Sequence, residues 1–304
     1  MTKTMTNSNP IQFGYFLTPT TDYPEVLRRA KLCDASGYDL IGIQDHPYQS
    51  RFLDTWTLLA ALAAETERVR LFPDVANLPL RPPAMLAKAA ASLDVISGGR
   101  IELGLGSGAF WEGVHALGGD KRTPGESVDA LEEAIHVIRL MWSGNRGVRY
   151  DGRHYQLRGA HSGPVPAHPM GIWLGAYGPR MLALTGRLAD GWVPSSSYAP
   201  PQKLPAMQTR IDAAAAEAGR DPSAVRRAYN VMGFIGDSPS AAPFQGPVGQ
   251  WVDELTSLYL DTGIDTFIIG LPEPPGDQLE RFIGEIAPRV RENVSQPSIG
   301  TVIQ

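Results

Sequence analysis

The stretch VRLFPDVANLPLRPPAMLAKAAASLDVISGGRIELGL, residues 69–105, holds one complete structural unit. Residues 69–75 are mostly apolar and read as a strand. Pro79, Pro82 and Pro83 punctuate the loop behind it. Residues 85–96 are rich in alanine and leucine and read as a helix, stopped by Gly98-Gly99 in the way glycine ends helices. Residues 100–105 read as the next strand and run into a glycine-rich loop. Strand, helix, strand is the repeating unit of α/β folds.

The unit recurs on both sides. Upstream, residues 11–17 predict a strand, 23–36 a helix closed by Gly37, 39–44 a nearly unbroken apolar strand of the buried parallel kind, and 55–65 a helix. Downstream, residues 124–142 keep Val128, Leu131, Ile135, Ile138 and Met141 at helical spacing. Residues 147–157, around Tyr150-Asp151-Gly152, predict a small hairpin laid over the barrel, inserted after the helix that follows strand four. Strands follow at 172–176, 191–194, 226–235 and 266–270, with helices at 179–189, 202–218, 249–262 and 277–290. Eight strands, each followed by a helix, predict an α/β fold of the (β/α)8 TIM-barrel type. An open doubly wound sheet is the alternative. It lacks its glycine turn, since Phe16-Leu17-Thr18-Pro19-Thr20 follows the first strand. Residues 11–294 are expected to form one domain, with a disordered N-terminal tail at 1–10 and a C-terminal tail at 295–304.

Composition narrows the function. The 304 residues are 43% hydrophobic and 19% charged, with a net charge of −5 and no long basic run, which excludes the electrostatic footprint of a nucleic-acid binder. No apolar run approaches the roughly 20 residues a bilayer needs. The single cysteine, Cys33, falls in a helical pattern and reads as a small core residue. His115, His136, His154, His161 and His168 lack metal-ligand spacing, so no metal is expected. Asp129, Glu132 and Glu133 share a helix with Arg139 and read as a solvated face; Trp251, Leu255 and Leu258 read as core. The expected setting is the cytoplasm, with a small-molecule substrate and a homodimeric assembly.

In such a barrel the active site lies in the loops at the carboxyl ends of the strands. That rule selects Asp45 and His46 after strand two, and Asp74, Val75, Ala76 and Asn77 after strand three. It also selects Gly106, Ser107 and Gly108 after strand four, and Gly175, Ala176, Tyr177, Gly178, Pro179 and Arg180 after strand five. The last group closes a strand and opens a helix. A helix N-terminus offers free N–H groups and a positive dipole end that suit a phosphate. Glycine admits a close anion, proline suits the first turn, and Arg180 can add charge. A plain strand-to-helix turn would use the same residues. His46 can exchange a proton near neutral pH, and a neighbouring Asp45 would favour its protonated form if the two side chains met.

The order and spacing of these segments resemble the bacterial luciferase-like family. Asp45-His46 looks like its Asp-His pair. Residues 77–83, 86–93 and Ser97-Gly98-Gly99-Arg100 resemble its third-to-fourth strand region. Residues 104–108 resemble its glycine loop. Gly175-Ala176-Tyr177-Gly178-Pro179-Arg180-Met181 resembles its phosphate turn, and Ala189-Asp190-Gly191-Trp192 the strand beyond. The likeness covers residues 11–290. It implies an oxidoreductase, by hydride transfer or monooxygenation, with FMN or the deazaflavin coenzyme F420, the latter favoured by the Gly-Pro-Arg-Met turn. It implies that Asp45 and His46 contact the cofactor or move protons. The small residues of 104–108 would lie along a flat isoalloxazine-type ring, and Asp74-Val75 would be a cis peptide behind that ring. Two departures stand out. Where some deazaflavin sugar-phosphate enzymes carry a glutamate after the glycine loop, this chain has Ala109, then Phe110 and Trp111, with Glu112 beyond, which favours an apolar or aromatic substrate. Residues 236–247 are short and rich in proline, glycine and alanine, where other members place more polar material. A barrel that binds without catalysing, as a binding or structural subunit, is the alternative of a different class.

Overall fold

Capping groups written into the sequence set the helix ends. Asp22 accepts the Glu25 N–H at the start of α1 (Tyr23–Ser36), and Gly37 closes it at φ 91°. Asp54 caps α2 (Thr55–Glu65), and Gly98 closes α3 (Pro83–Ser97). A short α4 (Trp111–Ala116) precedes α5 (Pro124–Trp142), where Thr123 and Glu126 cap each other's backbone reciprocally. Then come α6 (Pro179–Leu188), α7 (Leu204–Glu217), α8 (Val248–Thr262), α9 (Gln278–Arg281), a π-helical stretch at Phe282–Ile286, and α10 (Ala287–Ser295). This computed structural model describes residues 9–273 and 275–295. Apart from Asn9, Pro10 and Ser295, the expected tails lie outside the described residues.

The strands are β1 (Gln12–Leu17), β2 (Leu40–Ile43), β3 (Arg70–Pro73), β4 (Ala76–Asn77), β5 (Leu103–Gly106), β6 (Val148–Asp151), β7 (Gln156–Ala160), β8 (Ile172–Leu174), β9 (Gly191–Trp192), β10 (Arg226–Met232) and β11 (Thr266–Gly270). Nine of them form one sheet in the order β3-β2-β1-β11-β10-β9-β8-β5-β4, with every neighbouring pair parallel. β3 and β4 are two halves of one stave, parted by a cis peptide at Asp74-Val75. Leu71 closes the ring by donating to the Arg100 carbonyl at 2.9 Å and accepting from the Glu102 N–H at 3.1 Å. Eight staves result, the barrel the sequence predicts.

Strand alternation sorts the side chains into two cores. Leu40, Phe72, Trp173, Val193, Ala228 and Ile268 fill the inside of the barrel, with Phe16 and Val75 against them. Phe13, Tyr15, Leu17, Ile41 and Ile43 face the helices and share one core with Cys33 of α1 and Trp251, Leu255 and Leu258 of α8, these four buried as expected. The amino end is plugged by a polar network. Gln12 Oε1 accepts from Arg70 at 2.7 Å and from Arg226 at 2.9 Å, while Arg70 reaches Glu102 and Arg226 reaches Asp265. Conserving chemistry for the opposite, carboxyl end fits the usual division of labour in this fold.

Three details differ from the sequence expectation. The hairpin of β6 and β7 does form, but Glu133 pins it to α5 by accepting the backbone N–H groups of Arg153, His154 and Tyr155. The face of α5 is accordingly tied rather than merely solvated: Asp129 pairs with Arg180, Glu132 with Arg187, and Arg139 with Asp190. And α4 occupies a stretch read as loop, because its N-cap is Phe110 in the left-handed region, with no capping side chain to announce it.

Candidate active site at the carboxyl end of the barrel

Asp45 and His46 leave β2 on successive positions, so their side chains diverge, as alternation in an extended chain requires. Asp45 is 2% exposed and faces inward. Its carboxylate accepts the Asn77 N–H at 2.9 Å and a two-point contact from Arg81 at 2.6 and 2.7 Å; Arg81 also reaches Asp54 at 2.6 Å. A bidentate guanidinium contact is among the stronger charge pairs. Asp45 thus ties the loops after the second and third staves together. It does not hydrogen-bond His46, which corrects the acid–imidazole pairing considered from the sequence. His46 Nδ1 instead meets the Tyr48 hydroxyl at 2.6 Å. Burial holds the His46 pKa below its ordinary value, outweighing the opposing field of Asp45, so the imidazole is neutral near pH 7.

The third stave delivers its residues through the cis peptide expected at Asp74-Val75. The Val75 side chain turns towards glycines on two neighbouring staves. A Cβ on Gly106 would come within 3.0 Å of Val75 Cγ2, and one on Gly175 within 3.3 Å. A Cβ on Gly104 would meet the Pro73 carbonyl at 2.1 Å. These glycines make room for the bulge, which in turn floors the mouth. Gly108, at φ 109°, packs on Pro79 and Trp111, and Ser107 lies between. Ala76 is fully buried, while Asn77 leaves its side-chain Oδ1 enclosed without a partner among the described residues.

Asp74 points into the barrel and meets Asn230 of β10, the stave on the opposite side, at 3.1 Å. Asn230 also donates to Ser195 at 3.2 Å. Asp74 Oδ2 and Asn230 Oδ1 are both enclosed and unpartnered. Burial pushes the Asp74 carboxyl up to about 7, against a smaller lowering by the Asn230 hydrogen bond. The sign of the consequence is fixed. Below about pH 4 the group is protonated folded or unfolded; from there to about 7 only the unfolded chain releases the proton, so this contribution to stability is lost as pH rises. The full loss is on the order of 4 kcal/mol. Asp74→Asn, neutral at every pH, should therefore gain stability over the wild type between pH 5 and pH 8 in denaturant melts. A wild-type-minus-variant difference that stays flat with pH would show Asp74 ionised in the folded protein.

On the far side of the mouth, Gly178 is the N-cap of α6 with no side-chain acceptor and with open space where a Cβ would stand. Pro179 occupies the first turn, so the Arg180 and Met181 N–H groups are free to meet an anion. The Arg180 side chain is 59% exposed and paired with Asp129 at 2.6 Å, so it flanks this cradle without being aimed into it. Ala176 is buried and its carbonyl accepts from Trp192. Tyr177 accepts the Ser195 N–H at 3.0 Å and packs edge-on against Tyr198. Phe110 stands beside both His46 and Tyr48, each at 5.8 Å between ring centroids. Glu112, by contrast, has a side chain 90% exposed and pairs with Lys121 in solvent.

The structure therefore brings all four predicted loops to one mouth, and adds Tyr48, Arg81, Phe110, Ser195, Tyr198 and Asn230. Asn230 carried a readable signal, since alternation along β10 puts Ala228, Asn230 and Met232 on the barrel's inner face. Arg81 had none beyond its place in a proline-rich loop. Among the described residues no cluster of His, Cys, Asp or Glu is arranged to hold a metal. No helix there is long and apolar enough to cross a membrane.

Known proteins resemble this chain in sequence and in fold. The 5,10-methylenetetrahydromethanopterin reductase of Archaeoglobus fulgidus is 33% identical over 216 residues, 70% of this chain and 61% of its own length. The F420-dependent glucose-6-phosphate dehydrogenase of Microbacterium testaceum is 31% identical over 218 residues, 69% of this chain and 64% of its own. Both matches thus span less than two thirds of the relative. In fold, an F420-dependent secondary alcohol dehydrogenase, solved in complex with an F420-acetone adduct, superposes with a TM-score of 0.82 at 20% identity, over 93% of this chain and 99% of that one. Residues 8–245 match the luciferase-like monooxygenase family, and with that match over most of its length the chain belongs to the family.

Proposed function

We propose that this barrel is a flavin-type oxidoreductase that uses the deazaflavin F420, with FMN as the second choice, on a small apolar or aromatic organic substrate. The carrying observation is the pairing, across one mouth, of the open α6 N-terminus at Gly178 with a neutral His46 beside Phe110. The residues present fit such a cofactor. The Arg180 and Met181 N–H groups would hold its phosphate, and the Val75 bulge would back its ring. The enclosed Asp74 Oδ2 and Asn77 Oδ1 are polar atoms still lacking partners beneath the mouth. When bound, the cofactor supplies the hydride chemistry; the chain supplies position, a dry pocket and a hydrogen-bond donor. His46 is placed to donate to an oxygen on which charge develops. The relative named for F420 supports the cofactor choice. Ala109 at the position after the glycine loop, with Glu112 turned to solvent, speaks for an apolar or aromatic substrate rather than a sugar phosphate. The same reading sets the enzyme in the cytoplasm, where the buried thiol of Cys33 needs no partner, and as a homodimer, which the exposed Met85 and Ile96 of α3 support.

The test is oxidation of chemically reduced F420 by a panel of small apolar carbonyl compounds, run with and without oxygen. Substrate-dependent oxidation in the absence of oxygen supports hydride transfer. Oxidation that needs FMN, a reductant and oxygen moves the assignment to monooxygenation. Binding of either cofactor with no turnover on any compound would support the non-catalytic alternative.

A further inference from the structure

The loop after β2 contains more than a histidine. Tyr48 sits two residues on, its hydroxyl 2.6 Å from His46 Nδ1. Its ring is seated deliberately close to α4: a Cβ on Gly113 would come within 2.7 Å of Tyr48 Cγ, so only glycine admits it. Phe110, held in the left-handed region at φ 52°, stands 5.8 Å from both rings, edge-on to His46 and tilted against Tyr48. Asp45, the neighbouring acid, is engaged by Arg81 and the Asn77 N–H. The hydroxyl is therefore the one partner of Nδ1 among the described residues.

Resting on the functional reading above, we propose that Tyr48 is a positioning residue that fixes the tautomer of His46: the phenol donates to Nδ1, so the neutral ring carries its hydrogen on Nε2. The chemistry of the contact favours this direction, because a phenol O–H is a stronger donor than a neutral imidazole N–H, and a bare imidazole nitrogen a stronger acceptor than a phenol oxygen. Burial and the nearby Asp45 push Tyr48 up to about 12, so the phenol keeps its proton throughout the working pH range. Nε2 makes no hydrogen bond within the described residues and is not among the enclosed unpartnered atoms, so it opens to the mouth. The consequence is directional. His46 presents a donor to the substrate or cofactor, and its Nε2 is not available as a base. Tyr48 acts through that ring and need not touch substrate.

The test begins on the protein without cofactor, by ¹⁵N NMR of histidine-labelled chain, with His46→Ala used to assign the signal. The expected wild-type spectrum shows His46 with a protonated Nε2 and a bare Nδ1 near pH 7.5. Tyr48→Phe keeps the ring against Gly113 and removes only the hydroxyl; it should give averaged nitrogen signals as both tautomers become populated. In turnover, the same variant should lose about threefold to tenfold in kcat, the worth of one ordinary hydrogen bond, with cofactor affinity unchanged. A wild-type His46 protonated at Nδ1, or a Tyr48→Phe spectrum identical to the wild type, would overturn the proposal. If the NMR result holds and neither cofactor supports turnover, the tautomer assignment stands and it is the functional reading that fails.

Discussion

Replacing His46 with alanine is expected to lower turnover about a hundredfold to a thousandfold while leaving cofactor affinity within a few fold. General acid–base catalysis by a positioned side chain spans about a hundredfold to ten-thousandfold. The lower part of that span applies here, because burial keeps the imidazole neutral and it works as a pre-oriented donor, an interaction whose removal typically costs a factor of about 100 to 1,000. The imidazole is half-buried against Tyr48 and Phe110, so some packing is also lost. Turnover and thermal midpoint measured on one preparation separate the two effects. A variant with a lowered midpoint and normal turnover per folded molecule would reduce His46 to a loop residue.

Replacing Gly178 with isoleucine is expected to weaken cofactor binding on the order of a hundredfold, the cost of losing one or two charge-assisted hydrogen bonds. The backbone there, at φ −75° and ψ 156°, is open to any residue, and a Cβ would stand in empty space. The fold therefore has no need of this glycine. A cofactor phosphate held there would need it, since a branched side chain at the N-cap would stand over the first free N–H groups of α6. Circular dichroism and melting should match the wild type while the dissociation constant rises. Unchanged affinity would remove the phosphate from this turn. The contrast with Gly104 is instructive: there a Cβ would strike the Pro73 carbonyl, and glycine serves the protein's own packing.

What could be read in advance follows from how far each signal reaches along the chain. Strand and helix periods, glycine stops and proline loops are local, and they yield the eight staves; the interruption at Asp74-Val75 was expected only from the family resemblance. The glycine run of β5 was legible as a site of close approach, yet what approaches Gly104 and Gly106 is the bulge itself. That partner lies on another stave and leaves no mark in the local sequence. Asp45 and His46 were found together, but adjacency misleads at the end of an extended strand, where neighbours point apart; Arg81, 36 residues on, claims the acid. α4 was invisible because a six-residue helix capped by Phe110 lacks both length and a capping signature. The Asp74–Asn230 contact joins residues 156 apart across the barrel axis, a juxtaposition that closure of the ring alone creates.

If the mouth framed by His46, Val75 and Gly178 holds a flavin-type cofactor, F420 in preference to FMN, the free cofactors should bind the isolated chain in that order. Parallel fluorescence titrations of the full chain with F420 and with FMN test it most directly, with Gly178→Ile as the internal control. The expected result is saturable binding of one F420 per chain, tighter than FMN, weakened about a hundredfold in the variant. Tighter binding of FMN would reverse the cofactor choice. Binding of neither, or binding that the variant leaves untouched, would contradict the site.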